Sequence, residues 1–218
     1  MRRRALLPLA ALAALIVAGA AVFAATQYAG SESDPHAVKV NGRSFTQEDI
    51  EAGRRTTELL FDLTSKLGVD YETITPDAAT DRNAAVERII ESELFDQEAK
   101  RRGIGCSDPE VQQSQRENFI AGGDVALAYA VAAGFAPADY FEVPPPERTP
   151  DATSLIEEYL NDERVLDRLH RICRLTKLFE ELGASTADPA NIALRNEAIY
   201  KLKAQLRSTA TIERAPGY

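Results

Sequence analysis

Tryptophan is absent from this 218-residue chain, and aromatic residues make up only 7% of it. A broad aromatic recognition platform is therefore excluded. Histidine is nearly as scarce: His36 and His170 are the only two. A hydrolase triad inside a folded domain would have to rest on His170, and no G-x-S-x-G motif offers it a serine. His170 and Cys173 stand one helical turn apart, but two ligands do not make a zinc site and the sequence holds no second pair. Glycine motifs are equally thin. Gly103-Ile104-Gly105 lacks the third glycine of a dinucleotide loop, and G-x-x-x-x-G-K does not occur, so no nucleotide and no other cofactor is expected.

Basic charge is also in deficit. Of the 25 Lys and Arg residues, Arg2, Arg3 and Arg4 precede an apolar run; without them 22 face 34 acidic residues, a balance of about −12. A surface of that sign repels nucleic acid phosphates and anionic lipid heads. Nucleic acid is not an expected partner.

What the chain does have is a long apolar run, residues 5–25, directly after the three arginines. About twenty apolar residues suffice for a helix to cross the hydrocarbon core, and the positive-inside rule places everything after Thr26 outside the cytoplasm. The segment reads as a transmembrane anchor. Ala18-Gly19-Ala20 and Val22-Phe23-Ala24 also suit a signal peptidase, so a cleaved signal with a secreted or periplasmic product stays open. No cysteine follows for a lipid anchor. Thr26 to His36 is polar and reads as a tether. In the oxidising compartment this implies, Cys106 and Cys173 are candidates for a disulfide, with two small buried thiols as the alternative.

With 44% apolar and 27% charged residues, the rest of the chain can bury a core. Val38-Lys39-Val40 alternates like a strand, Asn41-Gly42 is a hairpin turn, and Ser44-Phe45 continues beyond it. Thr46 and Asp49 form an acidic capping box, with Phe45 able to staple onto Ile50, opening a helix that stops at Gly68. Residues 69–80 form a loop. From Asp81, Val86, Ile89, Ile90, Leu94 and Phe95 recur at helical spacing. Lys100, Arg101 and Arg102 suit the negative end of that helix, Gly103 ends it and Ile104 folds back. Ser107 with Glu110 caps the next helix, from Asp108 to about Ile120, and a separate short one runs from Val125 to Ala133. Four prolines between Pro144 and Pro150 predict an extended, semi-rigid link. Ser154 with Glu157 opens one long helix to about Leu182. Asp188 and Pro189 cap the last helix, and Thr209 to Arg214 alternates enough to be a strand. That strand needs a partner, and the hairpin at Val38 to Phe45 supplies the other strand signal, so the two ends of the domain are expected to pair.

Most of the carboxylates of the Asp81 helix, including Glu87, Glu91, Glu93 and Glu98, read as solvated charge. Two of its pairs, Asp96 with Lys100 and Glu98 with Arg102, have supporting i,i+4 spacing. His170 reads as a surface residue beside Arg168 and Arg171. Phe119, Tyr129, Phe135, Tyr140 and Phe141 are the candidate binding residues, since no charge lies from Val125 to Ala138; packing in the core is the alternative for each.

Three stretches, "VNGRSFTQEDI", "QEAKRRGI" leading into "SDPEV", and the returning C-terminal helix and strand, resemble the N-terminal domain of the SurA/PrsA/PpiD group of extracytoplasmic chaperones. The resemblance covers Ala37 to Arg214, with residues 188–214 completing the domain. It implies a mainly α fold, a SurA-N-like helical bundle with a small sheet of hairpin and C-terminal strand. In that group a parvulin prolyl isomerase domain is inserted before the last helix. Here Gly183 to Asp188 is the junction, and neither that domain nor its histidine cluster is present, so no catalytic residue is expected. The implied function is ATP-independent binding of unfolded or exported polypeptides on an apolar groove, with the membrane contacted through the N-terminal segment. The alternative is a membrane-tethered scaffold with one dedicated partner.

Overall fold

The computed structural model describes residues 36–68, 81–182 and 189–218, with the backbone alone at 118, 120, 121 and 189–195. The expected anchor, most of the tether, the loop at 69–80 and the junction at 183–188 with its Asp188 cap lie outside the described residues. Strand β1, His36–Val40, turns into β2, Arg43–Thr46, through Asn41 at φ 47° and Gly42 at φ 91°. Two successive left-handed residues make the turn whose twist matches a two-stranded ribbon. His36 thus belongs to the sheet rather than to the tether.

The chain's far end returns to this hairpin. Strand β3, Ile212–Arg214, pairs antiparallel with β1, placing Val40 opposite Ile212 and Val38 opposite Arg214, in the order β2-β1-β3. Asn41 joins turn to return twice: its backbone N–H donates to the Thr211 carbonyl (2.9 Å), and its side-chain Oδ1 accepts from the Thr211 N–H (2.8 Å). Val38, Val40 and Phe45 are buried against helix residues Ile50, Val86, Ile89, Ile90 and Leu94.

Six helices accompany that sheet among the described residues. Helix α1, Gln47–Lys66, starts on the Thr46–Asp49 capping box. Helix α2, Arg82–Arg101, is capped by Asp81 and ends in a Schellman turn: Gly103 N–H reaches Lys100 O and Ile104 N–H reaches Ala99 O, both at 3.0 Å. Helix α3, Asp108–Ala132, starts on the Ser107–Glu110 box. Its span is two helical segments, as the sequence predicts, meeting at a kink at Gly123, whose φ of 53° and ψ of −136° only glycine adopts cheaply. The single helix expected after Ser154 is two, α4 (Ala152–Asn161) and α5 (Glu163–Glu181). Asp151, not Ser154, caps α4, and Asp162 leaves the helical region at ψ 127° to cap α5. An aspartate that can satisfy the next helix's free N–H groups makes the break cheap. Helix α6, Pro189–Thr209, leads into β3.

The proline stretch is a fold-back rather than an extended link. Residues Pro145–Glu147 close a 3-10 turn, and the Arg148 guanidinium donates to the Val143 carbonyl at 3.0 Å and to Asp124 at 2.9 Å.

Helix α2 is central: it packs against the sheet, α1, α5 and α6. Its carboxylates correct the expectation of solvated charge. Glu93, Asp96 and Glu98 are buried, as are Arg168 and Arg171 of α5. Glu93 Oε2 receives Arg43 at 3.1 Å and Arg171 at 3.2 Å, so one oxygen joins β2 to α5 through α2. Asp96 is met by Arg174 at 2.7 Å and Lys100 at 2.8 Å. Burial opposes ionisation of Asp96, but those cations and Arg171 outweigh it and hold its pKa below the ordinary carboxylate value. The surface-facing Glu87 and Glu91 bind Arg207 and Lys203 of α6, tying that helix to α2.

Two tests follow from this network. Removing one partner of a buried ion pair leaves an uncompensated charge at a cost of about 3–5 kcal/mol; Arg171→Leu should show a loss of that order in urea denaturation, part of it restored by adding Glu93→Leu. Glu98 supplies a pH signature. Hydrogen bonds from Arg101, opposed by burial and joined by those from Arg102, lower its pKa from 4.5 to about 2. A group depressed on folding stabilises the fold above its unfolded value and loses that stabilisation as pH falls through its folded value. Urea midpoints should therefore fall between about pH 4.5 and 2, and Glu98→Gln should flatten that part of the profile.

Candidate binding site

The five aromatic candidates come together at one end of the bundle. Gly123 bends α3 and Gly134, at φ 87°, turns the chain after it, so Phe119, Tyr129, Phe135, Tyr140 and Phe141 all join or border one apolar cluster. Phe119 and Phe135 pack edge-on against Tyr159 with ring centroids 5.5 and 5.3 Å away, and Tyr140 meets Phe141 at 5.3 Å. Arg148 lies 5.2 Å from both of the last two rings, close enough for cation–π attraction. Phe119 and Tyr140 are buried, while Tyr129, Phe135 and Phe141 are only partly covered. Burial raises the pKa of the Tyr140 phenol, which stays protonated. Phe119 and Tyr140 thus pack inside the core, while Tyr129, Phe135 and Phe141 border it and keep part of their surface outward.

Cys106 and Cys173 are joined as a disulfide, with Cα atoms 6.4 Å apart. Cys173 lies on α5, and its neighbours one turn either way bind the same α2–α3 junction. His170 meets Asp108 at 2.7 Å, and Lys177 meets Glu110 at 2.7 Å and the Gly105 carbonyl at 2.9 Å. Glu110 sits beside the sulfurs, but bonded to each other they have no thiolate to offer a metal.

A concave site lies elsewhere, where the hairpin turn, α2 and α6 converge. Its volume is about 440 Å³, and Asn41, Leu94, Gln97, Glu98, Arg101, Gln205, Leu206 and Thr209 line it. Leu94, Gln97, Glu98 and Arg101 share one face of α2, as Gln205, Leu206 and Thr209 do on α6. The amides are fixed by one another: Asn41 Nδ2 donates to Gln97 Oε1 at 2.8 Å, and Gln97 Nε2 donates to Glu93 Oε1 at 2.9 Å. Glu98 accepts from Arg101 at 2.6 Å and Arg102 at 2.7 Å, so its charge is matched. None of the five aromatic candidates lines this site. The signal for it was the run of amides, Asn41, Gln97 and Gln205, but nothing in the sequence brings those three positions together until the C-terminal return is in place.

No helix among the described residues is long and apolar enough to cross a membrane. No curated protein and no solved structure matches the chain. A family model described as the SurA-like N-terminal domain does match, over residues 1–124. The matched segment includes the hairpin, α1, α2 and α3 past its bend, while α4, α5, α6 and β3 follow it. Domains of this family are extracytoplasmic, non-catalytic and chaperone-related. With more than half of its length matched and the mainly helical fold carrying a three-stranded sheet, the chain belongs to the SurA-like N-terminal domain family.

Proposed function

We infer that the protein is an ATP-independent extracytoplasmic holdase, which binds unfolded or exported polypeptide segments and releases them without covalent chemistry. The family match over residues 1–124 carries this reading. The apolar run at residues 5–25 anchors the chain in the membrane in this reading, with the folded domain outside and held by a short tether. Binding then relies on shape and apolar contact near the membrane, where exported chains emerge.

Client aggregation measured by light scattering tests the proposal. The soluble part, added in excess, should suppress scattering of a thermally unfolding client in proportion to its concentration; no suppression at any ratio would sink the holdase reading. Crosslinking in membranes followed by a partner census should return many substoichiometric clients. One partner at fixed ratio would instead point to a dedicated scaffold.

A further inference from the structure

The site between the hairpin turn, α2 and α6 has a chemistry of its own. Its floor is apolar, with Leu94 buried and Leu206 half-buried, and its rim carries three side-chain amides beside the Glu98–Arg101 ion pair and the Thr209 hydroxyl. Each amide keeps hydrogen-bonding capacity after its bonds within the fold are counted. Asn41 Nδ2 uses one of its two hydrogens on Gln97, and Gln97 Oε1 uses one of its two lone pairs to accept it. Asn41 Oδ1 likewise accepts from Thr211 and has a second lone pair. Gln205 is exposed at the mouth. Asn41 and Gln97 therefore present donors and acceptors side by side, held in place by bonds to the backbone of β1 and to Thr211, so a ligand would not have to order those two.

That pattern selects its ligand. Glu98 is matched by Arg101 and Arg102 on its two oxygens, so the site has no bare cluster of cations to hold a phosphate. No aromatic ring lines it, so it offers no stacking surface for a base or a sugar. Paired amide donors and acceptors above two leucines match a peptide backbone bearing an aliphatic side chain. A volume of about 440 Å³ lies within the ~300–1,000 Å³ of small-ligand sites and takes roughly two or three residues of an extended chain. We propose that this pocket is a binding site for an extended, uncharged polypeptide segment, its peptide groups on Asn41, Gln97 and Gln205 and one aliphatic side chain on Leu94 and Leu206. The proposal deepens the holdase reading by giving it a site, and that site is distinct from the aromatic cluster.

A blocked heptapeptide of serine and glycine with one central leucine, carrying a nitroxide at one end, is a direct probe. In the full chain in detergent micelles, the methyl resonances of Leu94 and Leu206 should broaden on its addition while those of Leu155 and Leu160, in the other cluster, stay sharp. Gln205→Trp and Thr209→Trp fill the mouth from exposed positions, the Thr209 hydroxyl bonding only to the Gln205 and Leu206 carbonyls of its own helix; each should weaken the peptide at least tenfold with unchanged thermal unfolding. Because the charged groups lining the site, Glu98 and Arg101, are paired with each other and the peptide is uncharged, raising salt from about 50 to 500 mM should change affinity by less than about twofold. Absence of broadening at the two leucines, or indifference to both tryptophans, overturns the pocket. Aggregation suppression with no broadening there overturns the pocket and leaves the holdase standing; broadening without suppression keeps the pocket and removes the holdase.

Discussion

Everything in this fold leans on the charges buried beneath α2. Arg171 is 1% exposed and Asp96 is fully covered, so neither can be left unpaired. Desolvating an ion costs several kcal/mol after relaxation, and only a partner held at close range offsets it. Here the partners come from three places in the sequence: Arg43 on β2, Glu93 and Asp96 on α2, and Arg171 and Arg174 on α5. Apolar burial by itself is non-directional, whereas this network closes only when hairpin, central helix and α5 are in one register. It therefore specifies the arrangement more than it stabilises it, and replacing the whole set with apolar residues is expected to cost less than breaking one member.

Around that point the two ends of the domain are joined by weaker means. Strand β3 contributes only three residues, a length that would not hold by itself in water. Its attachment depends on α6, fixed to α2 by Arg207 and Lys203 on Glu87 and Glu91, and on the two bonds between Asn41 and Thr211. Arg214 of β3 reaches back to Glu87 as well, so one carboxylate serves both the helix and the strand that follows it. On α5, the disulfide and its flanking ion pairs stitch that helix to the α2–α3 junction along successive turns of a single face.

Local chemistry was legible in the sequence wherever one residue determined one event. The Asn-Gly turn, the boxes at Thr46 and Ser107, the glycine stop after α2 and the return of the last strand are all of that kind. The misreadings have a common cause. Glu93 falls on the same stripe as Val86, Ile89 and Ile90, and Arg168 and Arg171 fall on the stripe of Leu175 and Leu178. Their spacing placed them on the core side, but their charge argued for the surface. Charge is decisive only when no opposite charge occupies the facing stripe, and that is a property of the packed pair, not of either helix. The break at Asp162 escaped for a related reason: the apolar stripe continues through it, and periodicity does not register a cap that lets the helix restart in a new direction.

The same reasoning bears on where a ligand can sit. An aromatic-rich, charge-free stretch such as Val125 to Ala138 suggests an open apolar groove; of the rings in and around it, Phe119, Tyr140 and Tyr159 go into the core, while Tyr129, Phe135 and Phe141 stay partly exposed beside it. Apolar character in a sequence is thus ambiguous between packing and binding, and packing has first claim because unburied apolar area would otherwise destabilise the domain. Asn41 and Gln97 are held by bonds the fold needs in any case, and they still face a cavity with part of their hydrogen-bonding capacity unspent. The constraint that seals the domain, the return of the C-terminal helix and strand to the hairpin, is also what brings Gln205 and Leu206 over α2, so closure of the fold and formation of the pocket are one event.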